Sequence, residues 1–267
     1  MRVALIQLAA GADKAANVQR TLRLTEKAFK SKARWVLLPE MFNWRGDTAN
    51  SQALRCAAER IPGESIQPFL AAARRHKAFI LAGSVLEQTA GPKFYNTSVL
   101  INPQGRIAAK YRKIHLFDAC LGDKILRESK YLKAGDTKAE ALVDKLCVGL
   151  SICYDLRFAD IYRWYGQQGA QVMTVPSCFT KTTGQAHWEV LLRARAIENL
   201  CYVLAPNQVG TSVRGVQAYG NSMIVSPWGE VLARGSGDRE EIVYGDIDRS
   251  AVIEARKKLP GVVREDL

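Results

Sequence analysis

Short apolar runs alternate with amphipathic segments in the first half of the chain. Residues 2–8 and 35–38 form continuous apolar runs, which predict strands buried on both faces. Residues 17–32 and 65–77 place their apolar side chains at helical spacing, and the apolar run 79–87 predicts a third strand. This order of strands and helices predicts a largely parallel sheet covered by helices.

A hairpin follows, with arms at residues 95–102 and 107–117 joined by a Pro-Gln-Gly turn. Strand alternation places Lys113 on the less polar face and Lys110 on the opposite face. The face of Lys113 also holds apolar and aromatic residues, namely Ile107, Ala109, Tyr111 and His115. A lysine on the less polar face usually has a carboxylate partner or a chemical role. The alternative is that Lys110, Arg112 and Lys113 form a solvated charged surface.

The second half of the chain is predicted to be a mixture of strands and helices. Residues 118–136 show no periodicity and predict a long ordered loop, of the kind that often lines a site. Further strands are predicted up to residue 152 and at 172–176, 201–206, 221–225, 231–233 and 242–246, with helices at 157–168, 184–199 and 249–258. We therefore expect an α/β protein, with residues 1–267 forming one domain of two sheets between layers of helices.

Charge and hydropathy narrow the class of protein. The net charge is +12, but the basic residues are spread along the chain and form no known nucleic-acid module. We expect no nucleic-acid partner, although a positive field would attract an anionic small molecule. No leader peptide and no apolar run of membrane-spanning length is present, so we expect a soluble, cytoplasmic protein without a membrane partner.

The six cysteines contain no CxxC pair, which argues against a disulfide scaffold or a thiolate zinc site. Cys153 ends an apolar run directly before an amphipathic segment. At a helix start, the partial positive charge of the N–H groups lowers the pKa of a thiol, and the N–H of Tyr154 faces the same space. A buried structural thiol is the alternative interpretation and the more common one.

Glu40 follows the predicted strand 35–38, and ligand sites of parallel sheets gather at the carboxyl ends of strands. A carboxylate that only caps a loop is the alternative. Together, Glu40, Lys113 and Cys153 supply the base, the oxyanion stabiliser and the nucleophile that acyl transfer through a thiol requires. Sequence spacing does not show that the three residues meet.

Three motifs resemble those of the nitrilase superfamily of carbon–nitrogen hydrolases, in the same order. They are LLPEMF at residues 37–42, YRKIHLFD at 111–118 and ICYDLRF at 152–158. The resemblance extends to HWEVLLRARAIE at 187–198 and SPWG at 226–229. It implies a four-layer α-β-β-α sandwich that dimerises into a larger stacked sandwich. It also implies a Glu-Lys-Cys triad that uses no metal and no organic cofactor.

The resemblance also implies a role for each site residue. Glu40 would act as general base and acid, Cys153 as nucleophile, and Lys113 with the Tyr154 N–H as oxyanion donors. Glu128, in a segment that resembles the second glutamate motif of the family, would orient Lys113 and the substrate amide. The cysteine motif departs from the usual Arg-Phe-Pro-Glu ending, because Ala159 and Asp160 follow Phe158.

Other residues and other mechanisms remain to be considered. Arg157, Cys178 and His187 are further candidates for substrate binding. A Cys-His hydrolase, with His115 or His187 as the base, is a rival to the triad, although no papain-type motif surrounds Cys153. A non-catalytic subunit on the same fold is the alternative from another class of protein.

The substrate expectation rests on resemblance alone. The motifs around Cys153 and at residues 187–198 are most similar to the Nit branch, whose members hydrolyse side-chain amides of 2-oxo acids. Within this branch we favour deaminated glutathione as substrate. An omega-amidase acting on 2-oxoglutaramate is the first alternative, and a hydrolase of N-carbamoyl amino acids or aliphatic amides is the second.

Overall fold

The computed structural model describes residues 1–121 and 124–260. The described strands are β1 (Arg2–Gln7), β2 (Trp35–Leu37), β3 (Phe79–Glu87), β4 (Tyr95–Ile101), β5 (Ile107–Arg112), β6 (Asp118–Leu121), β7 (Lys124–Arg127), β8 (Ala139–Val143), β9 (Leu146–Leu150), β10 (Val172–Thr174), β11 (Tyr202–Ala205), β12 (Met223–Val225), β13 (Val231–Arg234) and β14 (Glu241–Asp246). The described α-helices are α1 (Lys14–Lys30), α2 (Ser51–Ala57), α3 (Gln67–His76), α4 (Ala159–Gln167), α5 (Lys181–Asn199) and α6 (Arg249–Lys258). Turns of 3₁₀ helix cover Glu128–Lys130 and Cys153–Arg157.

The strands form two six-stranded sheets and one hairpin. The first sheet has the order β14-β1-β2-β3-β4-β5, and the second has the order β13-β12-β11-β10-β9-β8. In each sheet three neighbouring strands are parallel, β1-β2-β3 in the first and β9-β10-β11 in the second. The hairpin β6-β7 stands outside both sheets. Parallel strands of this kind place their carboxyl ends at one edge of each sheet, where ligand sites gather.

The side chains of β1 show how the layers are built. Val3 and Leu5 point into the core that also contains Val148 and Val172 of the second sheet. Ala4 and Ile6 point the other way, into the core beneath α1 and α3. A strand that is covered on both faces has no reason to alternate with polar residues, which explains its continuous apolar run.

Helices α4 and α5 cover the outer face of the second sheet, since Tyr162, Tyr165 and Trp188 are fully buried with its strands. Helix layers therefore lie outside both sheets, and the predicted four-layer α-β-β-α sandwich is confirmed. No helix in the described ranges is long and apolar enough to cross a membrane.

Several predicted boundaries are wrong for identifiable reasons. The second hairpin arm ends at Arg112 and not at residue 117. The N–H of Lys113 still donates to the oxygen of Asn96 in β4, but the N–H of His115 donates to the Asp155 carboxylate and no longer to the sheet. The segment predicted as a loop at 118–136 contains β6, β7 and the turn Glu128–Lys130. Residues 122–123 of that segment, and the predicted tail from 261 onward, lie outside the described residues.

Helix α2 and strand β8 were not predicted at all. Helix α2 has only seven residues, too few for a periodic pattern, and Asn50 caps it by accepting hydrogen bonds from the N–H groups of Gln52 and Ala53. Strand β8 alternates its side chains between the sheet and solvent, but its inward residues include two alanines and carry a weak hydrophobic signal. That residues 1–267 form a single domain stays a prediction.

Candidate active site

Glu40, Lys113 and Cys153 each lie just beyond the end of a strand. Glu40 follows β2, Lys113 directly follows β5, and Cys153 follows β9. Their exposed fractions are 3%, 1% and 7%, so all three are buried. The burial of Lys113 agrees with the strand alternation of residues 107–113.

The ammonium group of Lys113 lies between two carboxylates. Its Nζ atom is 2.9 Å from Oε1 of Glu40 and 2.9 Å and 3.1 Å from Oε2 and Oε1 of Glu128. Oε2 of Glu128 also accepts a hydrogen bond of 2.7 Å from the N–H of Phe117. The structure therefore brings Lys113 into direct contact with both Glu40 and Glu128, although the three residues come from separate segments of the chain.

Burial and charge act in opposite directions on this cluster. Burial alone would lower the pKa of Lys113, but the carboxylates of Glu128 and Glu40 outweigh it and hold that pKa well above its ordinary value. Burial raises the pKa of the Glu128 carboxyl, and the Lys113 ammonium opposes this rise without cancelling it. Lys113 is therefore a permanent cation at neutral pH.

Glu40 is fixed in position by hydrogen bonds that could not be predicted from the sequence. Its Oε1 accepts a bond of 2.8 Å from Nδ2 of Asn96, and its Oε2 accepts one of 2.8 Å from the N–H of Cys178. Nε2 of Gln208 donates to its main-chain oxygen at 2.9 Å. These donors lie on different elements and carry no common motif, so only the fold brings them to one carboxylate.

Cys153 occupies a strained turn. Its φ is +49°, a left-handed conformation that costs free energy for any residue other than glycine. Asp155, fully buried two positions later, accepts hydrogen bonds of 2.9 Å from the N–H groups of Ile152 and His115 and one of 2.7 Å from the hydroxyl of Tyr111. Asp155 thus ties the cysteine turn to the end of β5 that carries Lys113. Sequence reasoning missed this role.

The prediction that a helix start lowers the pKa of Cys153 is wrong. Burial raises the pKa of the thiol well above its ordinary value, and the nearby Glu40 carboxylate raises it further. The Lys113 ammonium and the N–H of Cys178 act in the opposite direction but do not compensate. The predicted helix start is also absent at this point, since Cys153 begins a short 3₁₀ turn and α4 starts only at Ala159. The thiol is therefore protonated at rest.

A cavity of about 630 Å³ opens onto this cluster. Glu40, Glu128, Cys153 and Cys178 line it, whereas Lys113 and Tyr154 do not. The N–H of Tyr154 belongs to the first turn of the 3₁₀ segment, where main-chain N–H groups have no carbonyl of the same turn to bond. Segment 118–136 contributes part of the wall, including Leu126, as expected for a site-lining loop.

Two of the three candidates for substrate binding lie elsewhere. His187 is exposed, and its Nδ1 is 3.1 Å from Nη1 of Arg157, so these two residues contact each other and not the cavity.

His115, the other candidate base of a Cys-His hydrolase, stacks on Phe158 with ring centroids 3.6 Å apart, and its Nδ1 is 2.7 Å from Oδ1 of Asp155. Neither histidine is placed as a base for Cys153, so the geometry does not favour a Cys-His hydrolase.

The fold and the cluster define a class of enzyme, and comparison with known proteins agrees. The model of the carbon-nitrogen hydrolase family matches residues 2–257, and the chain belongs to that family. It is an amidase of the nitrilase superfamily.

Named relatives are similar along nearly the whole chain. Omega-amidase NIT2 of Homo sapiens is 42% identical over 260 residues, which are 97% of this chain and 92% of that protein. Omega-amidase NIT2 of Mus musculus is 41% identical over the same shares of the two chains. These relatives belong to the Nit branch that the sequence resembles.

Solved structures show the same architecture. Nit3 of Saccharomyces cerevisiae, a member of branch 10 of the nitrilase superfamily, matches with a TM-score of 0.86 and 31% identity over 97% of this chain and 94% of that chain. The NitFhit protein of C. elegans matches with a TM-score of 0.90 and 36% identity over 97% of this chain. This chain covers 63% of NitFhit, which is longer.

Proposed function

We propose that the protein is an omega-amidase, which hydrolyses the side-chain amide of a 2-oxo acid such as 2-oxoglutaramate to a carboxylate and ammonia. The observation that carries the proposal is that Glu40, Glu128 and Cys153 face one cavity, with Lys113 bonded to both carboxylates. The similarity to omega-amidases supports this substrate class better than deaminated glutathione, the substrate favoured from sequence.

In the first step, Glu40 removes the proton of the Cys153 thiol as the sulfur attacks the amide carbon. Because the pKa of the thiol is raised, little thiolate exists before substrate arrives, and the neighbouring base is required. The new C–S bond converts the carbonyl into a tetrahedral oxyanion. The family resemblance assigns the stabilisation of that negative charge to the Tyr154 N–H and to the Lys113 ammonium, which is bonded to the cavity-lining carboxylate of Glu40.

In the second step, the proton held by Glu40 passes to the amide nitrogen. The C–N bond breaks, ammonia leaves, and an acyl thioester remains on Cys153. Water then attacks the thioester while Glu40 accepts one of its protons. When the C–S bond breaks, that proton returns to the sulfur, so the carboxylic acid is released and the enzyme is restored.

Glu128 has a supporting role in this scheme. Its carboxylate contacts Nζ of Lys113 through both oxygens and is itself held by the N–H of Phe117. This arrangement fixes the ammonium beside Glu40 and keeps it protonated. Glu128 thus positions the oxyanion donor.

A comparison of substrates tests the proposal. We expect kcat/KM for ammonia release from 2-oxoglutaramate to exceed that from deaminated glutathione, N-carbamoyl-β-alanine and short aliphatic amides by more than about tenfold, or 1.4 kcal/mol of transition-state binding. A preference of that size for a carbamoyl substrate or for deaminated glutathione would overturn the substrate assignment.

The remaining expectations on partners and location stay predictions. Light scattering on the purified protein tests whether it forms a homodimer, as the family resemblance implies. Titration with labelled DNA and RNA over a salt series tests the expectation that it binds no nucleic acid. Fractionation of cells tests the cytoplasmic location.

A further inference from the structure

Arg45 is a buried cation in the wall of the active-site cavity. Its exposed fraction is 7%, and it follows Trp44 in the segment between β2 and α2. Its main-chain N–H donates to the oxygen of Gly11 at 2.9 Å, and Nη1 of its guanidinium donates to the oxygen of Val209 at 3.0 Å. Both ends of the residue are therefore held in place.

Arg45 lacks the partner that a buried cation normally has. Lys113 contacts two carboxylates, and Nη1 of Arg195 lies 3.0 Å from Glu198. Within residues 1–121 and 124–260, no carboxylate lies within ion-pair distance of Arg45. A guanidinium carries five N–H donors, and the carbonyl of Val209 accepts from one of its nitrogens. Because burying an unpaired charge is costly, a lone buried guanidinium facing a cavity indicates an anionic ligand.

Two routes through the structure connect Arg45 to the catalytic cluster. Val209, which accepts its hydrogen bond, directly follows Gln208, whose side chain holds the main chain of Glu40. Arg45 also lies near Cys178: burial raises the pKa of the Cys178 thiol, and the positive charge of Arg45 works against that rise. The N–H of Cys178 donates to Glu40. Cys178 and Arg45 therefore line the same cavity, and Cys178 is bonded directly to the catalytic cluster.

We propose that Arg45 binds the carboxylate at the far end of the substrate while the amide lies at Cys153, and so selects anionic amides over neutral ones. The inference rests on the proposed function, because it assigns substrate recognition within the same site. The planar guanidinium can donate two parallel hydrogen bonds to a carboxylate, which a lysine cannot do.

Other cations of the cavity wall are less suited to this task. Arg127, Lys130 and Arg214 also line the cavity but are exposed to solvent. Nη1 of Arg214 already donates to the hydroxyl of Thr48. Water and salt screen exposed charges, so these residues attract anions in general, whereas a buried guanidinium discriminates between ligands.

The test uses two amides of equal length that differ only at the far end. Glutaramate carries a carboxylate there and pentanamide carries a methyl group. In Arg45→Met, kcat/KM for glutaramate should fall by at least about 30-fold, mainly through KM, because one partner of a buried charge pair is removed. The value for pentanamide should stay essentially unchanged. Arg45→Lys should give an intermediate loss, and Arg106→Met, which removes an exposed charge in the β4-β5 turn, should change neither value.

Binding of glutarate, followed by calorimetry, separates this inference from the proposed function because it requires no turnover. Glutarate should bind the wild type and lose affinity in Arg45→Met by a similar factor. Unchanged glutarate affinity would overturn the inference even in a proven omega-amidase. Equal losses for glutaramate and pentanamide would also overturn it, since they would show that Arg45 only supports the catalytic carboxylates.

Two further outcomes are covered by the same design. If Arg45→Met does not fold, Arg45→Lys tests the inference instead. It keeps the positive charge but loses the paired hydrogen bonds of the guanidinium, so it should favour glutaramate over pentanamide less strongly than the wild type does. If the wild type does not hydrolyse 2-oxoglutaramate, the proposed function fails, yet glutarate binding still tests Arg45.

Discussion

Nζ of Lys113 lies 2.9 Å from Oε1 of Glu40, although the two residues are 73 positions apart in the sequence. The same ammonium contacts Glu128, so one cation neutralises the buried carboxylate of Glu40 and the partly buried one of Glu128. This sharing means that a change at any one of the three residues alters the electrostatic environment of the other two.

Replacing Lys113 by methionine should lower kcat by at least about 10²-fold, because an oxyanion donor is lost. It also leaves the buried Glu40 and the partly buried Glu128 without their cation, which should reduce the free energy of unfolding by about 3–5 kcal/mol. Ammonia release and thermal unfolding measure the two effects. Because the pKa of Lys113 is raised, its stabilising charge is present at neutral pH and is lost only as the pH rises through that raised value. The difference in Tm between the wild type and Lys113→Met should therefore shrink only in alkaline solution.

Lys110→Met is the matched control for this variant. Lys110 lies on the opposite face of β5, is largely exposed, and has its Nζ 3.5 Å from Glu87. Its replacement should leave ammonia release unchanged. Equal loss of activity in the two variants would show that Lys113 acts only through the stability of β5.

The burial of Lys113 was predictable, because alternation along a strand needs only local sequence. The hydrogen-bond donors to Glu40 were not predictable, since Asn96, Cys178 and Gln208 reach it through long-range packing. The raised pKa of Cys153 was missed for the same reason. A helix start is visible in the sequence, but the depth of burial and the nearness of Glu40 are not.

Glu128→Gln should change the pH dependence of the reaction. Burial raises the pKa of the Glu128 carboxyl. As the solution is acidified, kcat/KM of the wild type should therefore begin to fall at a higher pH than it would if the titrating group were a glutamate of ordinary pKa. Below this pKa, Glu128 is neutral and no longer holds the Lys113 ammonium by charge. In Glu128→Gln this titration is absent, so the acid limb should move to lower pH while the maximum rate drops. An unmoved acid limb in a pH–rate profile would assign the titration to another group.

Asp155→Asn should loosen the cysteine turn. The fully buried carboxylate accepts hydrogen bonds from Ile152, His115 and Tyr111, and an amide cannot accept all of them. We expect a loss of about 1.5–3 kcal/mol in the free energy of unfolding, because hydrogen bonds to a charged group are weakened, together with a lower kcat. Urea unfolding and ammonia release measure the two effects.

Asp160→Asn, which changes an exposed residue near the start of α4, is the control for that variant. It should alter neither quantity. Wild-type activity and stability in Asp155→Asn would mean that the turn holds Cys153 without this carboxylate.

Local patterns identified most strands and helices, yet they missed Arg45 and Asp155. Arg45 lies between Trp44 and Gly46 in a segment without periodicity, where a single arginine carries no signal of burial. Asp155 was visible inside the cysteine motif, but nothing in the sequence shows that it bonds to the end of β5. The β6-β7 hairpin was missed because strands of four residues are too short to show alternation.

The most direct test of the account is to look for the acyl thioester on Cys153. Wild-type protein is mixed with 2-oxoglutaramate, quenched in acid during turnover, digested and examined by mass spectrometry. We predict an acyl adduct on the peptide that contains Cys153, no adduct on the peptide that contains Cys178, and neither adduct nor ammonia release in a folded Cys153→Ala variant. Ammonia release at the wild-type rate by Cys153→Ala, or an adduct on Cys178 alone, would contradict the assignment of Cys153 as the nucleophile.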